Sequence, residues 1–166
     1  YEMSASLVGS EMCIRDSHST GELRTLNIGK SAFYESGIES FVVPDSVSDL
    51  QIGKEAFSEC RNLKTFKLPS NLESLIIDEY GFCGAEVEEF VIPGSVNCLK
   101  IGKEAFAVCT KLKIFTIPES VTELELDKSS FSPDCTVRVP ERFKEQLEFL
   151  GNLSYKIEYY KTESAS

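Results

Sequence analysis

The chain has 166 residues, of which 42% are hydrophobic, and a formal net charge of −10. Length and apolar content suffice for one packed domain and exclude wholesale disorder. The acidic balance repels phosphate backbones and so argues against a nucleic-acid partner; no apolar run approaches the ~18–20 residues of a membrane-inserted helix, and no basic stretch leads into an apolar core as in a signal peptide.

Residues 6–17, Ser-Leu-Val-Gly-Ser-Glu-Met-Cys-Ile-Arg-Asp-Ser, resemble the in-frame translation of a sequencing-library adapter. They share nothing with the sequence that follows, and scars of this kind are excluded from fold reasoning. Residues 1–17 are therefore read as a non-native segment, and the native product as longer at its N-terminus. Setting them aside removes Cys13 and leaves five cysteines.

From there to residue 139 the chain repeats itself about five times. Phe33, Phe57, Phe82, Phe106 and Phe131 are 24, 25, 24 and 25 residues apart, and Pro44, Pro69, Pro93 and Pro118 follow at 25, 24 and 25. A fixed period of this size marks a solenoid, in which neighbouring coils bury what one coil cannot. Within each unit two stretches alternate apolar and polar residues, the period of a strand with one buried face. One holds Phe41 and Val43, Phe66 and Leu68, Phe90 and Ile92, Phe115 and Ile117, or Val137 and Val139, and proline closes it in the first four copies. The other holds Leu26 and Ile28, Leu50 and Ile52, or Leu99 and Ile101. Gly29, Gly53 and Gly102 follow it, with Asp78 and Asp127 in the alternate repeats, as residues that tolerate turns. A small residue, Ala32, Ala56, Gly81, Ala105 or Ser130, precedes each Phe of the first series.

The pattern Ile-Gly-Lys-x-Ala-Phe-x-x-Cys-x-x-Leu-x-x-Phe-x-Ile-Pro-x-Ser-Val, best seen at 101–121, resembles the BspA-like, or treponemal-type, leucine-rich repeat. The resemblance covers roughly residues 23–139, with repeats slightly longer than usual. It implies a mostly β solenoid, a right-handed leucine-rich-repeat coil with two short strands per 24–25 residues. It also implies a secreted or cell-surface protein that binds matrix or cell-surface proteins. The family motif contains no catalytic residue, so none is transferred, and no enzyme activity or cofactor is expected.

Residues 140–160 read as a cap. Pro140 suits the first position of a helix and Glu141 its first turn. Phe143, Leu147 and Leu150 share one face, Gly151 ends the helix, and Tyr155, Ile157 and Tyr159 alternate as a last strand. Residues 161–166 read as a loose tail.

Candidate chemistry is sparse. Cys60 and Cys109 occupy one slot two coils apart, about 9.6 Å by strand spacing, beyond the ~7 Å a disulfide spans; both are expected as buried thiols. Cys98 should face outward, Cys83 is unplaced, and a bond between Cys135 and Cys109 stays open. No Cys-x-x-Cys or ligand cluster suggests a metal. His18 has no partner pattern, and Lys30, Lys54, Lys103 and Lys128 read as a solvated ladder. Asn152-Leu-Ser154 fits a glycosylation acceptor. The remaining candidate is a surface. Strand parity turns the neighbours of the buried Phe outward, so Ser40, Val42, Thr65, Lys67, Glu89, Val91, Ile114, Thr116, Thr136 and Arg138 should align into one strip, more apolar at Val42, Val91 and Ile114 than solubility requires. That strip is the expected face for a protein partner; a spacer array without its own ligand is the alternative. Gln51, Ile76 and Lys100 mark the other sheet.

Overall fold

The apolar residues of each coil can leave water only by lying over those of the next, and the whole architecture follows from that stacking. The computed structural model describes residues 23–161. It is a β-solenoid of about six turns. Its strands are β1 (Thr25–Ile28), β2 (Ser40–Val42), β3 (Asp49–Ile52), β4 (Thr65–Lys67), β5 (Ser74–Ile77), β6 (Cys98–Ile101), β7 (Ile114–Thr116), β8 (Glu123–Leu126) and β9 (Thr136–Pro140). A 3-10 turn (Glu141–Phe143), helix α1 (Lys144–Glu148) and strand β10 (Lys156–Tyr160) follow. The adapter-like segment 1–17, His18 and residues 162–166 lie outside the described residues.

Strands β1, β3, β5, β6 and β8 form one continuous parallel sheet. Its register sets Leu26, Leu50, Leu75, Leu99 and Leu124 in one buried row and Ile28, Ile52, Ile77, Ile101 and Leu126 in the next. The second sheet departs from the uniform ladder the repeat suggests. β2 pairs with β4, β7 with β9 and β9 with β10, all parallel, but a single bridge, Thr65 to Glu89, joins the third coil to the second. That coil presents adjacent glutamates, Glu88 and Glu89, a residue type depleted in strands.

Between the sheets run two phenylalanine ladders. Phe33, Phe57, Phe82, Phe106 and Phe131 stack with centroids 5.0–5.4 Å apart and planes within 6°. Phe41, Phe66, Phe90 and Phe115 stack at 5.2–5.9 Å. The ladders meet mostly edge to face, as between Phe57 and Phe66 at 81°, a geometry the ring quadrupoles favour. The rings sit in the core, Phe57, Phe82 and Phe106 wholly buried; at the first coil Phe33 and Phe41 are half-buried.

The turn between the sheets corrects the expected role of its glycines. Gly29, Gly53 and Gly102 do not need a left-handed backbone; the positive-φ positions belong to other residues. They recur two places before the core Phe, at Ser31, Glu55, Tyr80 and Glu104, and two places after it, at Glu35, Glu59, Gly84 and Val108. Gly53 is instead small because a Cβ there would lie 2.7 Å from the Ile28 carbonyl oxygen of the preceding coil, whereas Gly29 has nothing within 4 Å. Val108, β-branched, 61% exposed and held at φ 57°, carries the strain a β-branched side chain meets there. Val108→Gly should therefore raise the unfolding free energy by about 1 kcal/mol, measurable by urea denaturation.

After each proline the chain turns the same way: the carbonyls of Pro44, Pro69, Pro93 and Pro118 accept N–H bonds from Val47, Leu72, Val96 and Val121 at 3.1–3.2 Å. The serine two places after the proline ties the turn to the previous coil, Ser46 Oγ donating to Leu23, Ser95 to Leu72 and Ser120 to Val96, each at 2.6 Å.

The C-terminal elements supply the partners that another coil would otherwise give. Pro140 is the last residue of β9 and the N-cap of the 3-10 turn, one place earlier than a first helical residue. Phe143 and Leu147 are buried and Leu150 is half-buried; the helix ends at Glu148 with Phe149 as its C-cap, short of the expected stop, and Gly151 at φ +82° closes the turn that follows. Arg142 donates to the Val121 carbonyl, Gln146 Nε2 to Leu124 at 2.5 Å and Tyr155 Oη to Asp127 at 2.8 Å. These bonds satisfy the open end of the last coil, as buried backbone groups require.

Candidate protein-binding face

The interrupted sheet puts alternate residues outside. Ser40, Val42, Thr65, Lys67, Glu89, Val91, Ile114 and Thr116 are exposed, and Thr136 and Arg138 are half-buried. Val42, Val91 and Ile114 stand out, with 63, 64 and 60% of their surfaces in water. At the break in pairing, Lys64, Lys67 and Leu68 of the second coil face Glu88, Glu89 and Val91 of the third across a groove of about 750 Å3 floored by Phe66. Parity of the strands was enough to find the outward residues; the groove depends on how two coils meet and has no signal within either.

Arg138 differs from the rest of the strip. Its Nε bonds Glu158 Oε1 of β10 at 2.8 Å, and its guanidinium lies 5.1 Å over the Tyr160 ring. The cap strand thus occupies the last charge of the strip, and Val42 through Thr116 remain open.

The other chemical candidates are structural. Cys60 and Cys109 are free, buried and equivalent, donating to the carbonyls of Phe33 and Phe82 at 2.9 and 3.0 Å. Cys135 is likewise a free buried thiol, unbonded to Cys109, and Cys83 and Cys98 are free and half-buried. Burial pushes the Cys60 and Cys135 thiols up to about 11, and that of Cys109 up further. An unfolded thiol ionises near 9. Cys60 and Cys135 therefore contribute stability that is fully present below pH 9 and lost as pH rises through 9 to 11. Since the thiolate is the nucleophile, iodoacetamide at neutral pH should spare Cys60, Cys109 and Cys135 in the native protein and label them after unfolding; rapid native labelling would contradict their burial. Asp127 serves its own turn, its Oδ1 accepting from the Ser129 N–H at 2.9 Å and hydroxyl at 2.7 Å. Lys30, Lys54, Lys103 and Lys128 are exposed, as is Asn152. Among the described residues no group of three or more His, Cys, Asp or Glu could hold a metal, and no helix is long and apolar enough to cross a membrane.

The stacked repeat is recognisable beyond this chain. A model of the BspA type leucine rich repeat region matches residues 26–156 in 6 copies. The chain belongs to the BspA-type leucine-rich repeat family. Proteins with leucine-rich repeats generally mediate protein–protein interaction, and the family is typically non-enzymatic. No curated protein sequence matches this member. Among solved structures it resembles the Treponema pallidum leucine rich repeat protein TpLRR, with TM-score 0.53 and 20% identity over 82% of this chain and 80% of that one. It also resembles the pneumococcal vaccine antigen PcpA, with TM-score 0.52 and 17% identity over 87% of this chain and 43% of that one. Both likenesses concern the fold, and this BspA-type chain spans less than half of PcpA.

Proposed function

We propose that this BspA-type repeat is a recognition module, extracellular or on a cell surface, that holds a matrix or cell-surface protein against the face from Val42 to Thr116. The observation that carries this reading is the exposure of Val42, Val91 and Ile114, each at least 60%, in the first, third and fourth coils on one side of the solenoid. β-branched residues suit strands wherever they lie. Here, however, they lie on the side of the solenoid that carries an open groove, which Val91 lines, and exposed apolar groups gathered on one face mark interaction sites. The surface placement is supported by the family resemblance.

Biolayer interferometry against immobilised basement-membrane extract tests the reading. The protein should bind reversibly, and the double variant Val91→Glu/Ile114→Glu should bind at least about tenfold more weakly, because buried unpaired carboxylates oppose docking, with an unchanged circular-dichroism spectrum. Equal binding by the folded variant would remove this face from the function.

A further inference from the structure

We propose that the same face also pairs with a second copy of this chain, stack reversed, about a two-fold axis lying along the groove between the second and third coils. The inference rests on the reading of this face as a binding surface and adds a partner for it.

Its basis is a charge sequence that no single coil contains. The residues just before the outer strand positions of four successive coils are Glu39, Lys64, Glu88 and Lys113, all exposed. Their sign alternates at the coil spacing, about 4.8 Å. These charges are hardly used within the chain: Glu39, Lys64, Lys67, Glu88 and Glu89 form no ion pair among the described residues, and Lys113 reaches Asp134 only at 4.0 Å.

Few surfaces can follow such a ladder. Side chains on one face of an extended strand recur every ~6.7 Å and helical turns every ~5.4 Å, so both drift out of step within a few coils. Another stack of β-coils has the same pitch. Laid on in the same direction and in register, a second copy would set like charge on like. Reversed about an axis between the second and third coils, it sets Glu39 opposite Lys113 and Lys64 opposite Glu88, each pair twice, as an isologous contact does. A slip of one coil restores repulsion, so the charges fix the register. The axis then lies in the groove, with Lys67 opposite Val91 and beside Glu89, and the exposed Val42 and Ile114 leave water. Four short coils cover far less than the ~800 Å2 per partner of a stable complex, so the pairing is weak, reversible and strengthened at low ionic strength.

Sedimentation velocity at low salt, from about 10 µM to about 1 mM protein, reads the association in the range expected of a small interface. Wild type should shift reversibly toward dimer. K64E and E88K should each remain monomeric with unchanged circular dichroism. An equimolar mixture of the two should dimerise again, because each reversed charge then meets its opposite in the other chain while every chain keeps its own like-charged neighbours. Wild type that stays monomeric, single variants that dimerise as wild type does, or a mixture that stays monomeric would each overturn the proposal. None of these outcomes bears on binding to basement-membrane protein, which is read separately.

Discussion

Phe106→Ala should lower the unfolding free energy by about 3–5 kcal/mol, the range for truncating a large buried ring. Phe106 is wholly buried and stacks on Phe82 at 5.2 Å and Phe131 at 5.4 Å, with Phe90 and Phe115 also against it. Its loss therefore opens a cavity bounded by three coils, none of which can close it without leaving the strand register of the continuous sheet. Phe33→Ala is the control. The same substitution in the half-buried first ring, with one stacked neighbour among the described residues, should cost distinctly less. Chemical denaturation of both variants gives the comparison, and a loss below about 1 kcal/mol at Phe106 would place that ring in solvent and break the assigned register.

Gly53→Ala should cost about 1–3 kcal/mol, the range for overpacking. The added methyl would lie 2.7 Å from the Ile28 carbonyl oxygen and 2.9 Å from the backbone of Gly29 and Lys30. All three are main-chain neighbours that can yield only if the first and second coils separate. Gly29→Ala meets nothing within 4 Å and should stay within about 0.5 kcal/mol of wild type, as surface changes do. Thermal unfolding of the pair separates close approach from turn conformation as the reason for glycine: equal effects at both positions would favour conformation.

Much of this architecture is legible in the residues because side-chain alternation and the 24–25-residue period are local properties. They place Leu50, Ile52 and Phe57 inside and Val42, Val91 and Ile114 outside with no knowledge of the coil path. What escapes are features set by contact between coils. The positive φ at Ser31, Glu55, Tyr80 and Glu104 is imposed by stacking on residues with no preference for it. The loss of pairing around the single Thr65–Glu89 bridge and the groove beside it require two coils to be compared. The ion pair of Arg138 with Glu158 joins a repeat to the cap strand and is invisible in either segment. The serine ladder at Ser46, Ser95 and Ser120 was visible as a recurring residue two places after proline, yet its bonds to the preceding coil need the structure to give them meaning.

Backbone amide hydrogen exchange, measured with and without basement-membrane extract, tests the proposed placement of the binding face most directly. The bound partner should slow exchange in 64–68, 88–93 and 113–117, the segments around the groove and Ile114, and leave 49–52, 74–77 and 98–101 of the continuous sheet unchanged. Protection confined to those continuous-sheet segments would contradict the assignment and put the partner on the opposite side of the solenoid.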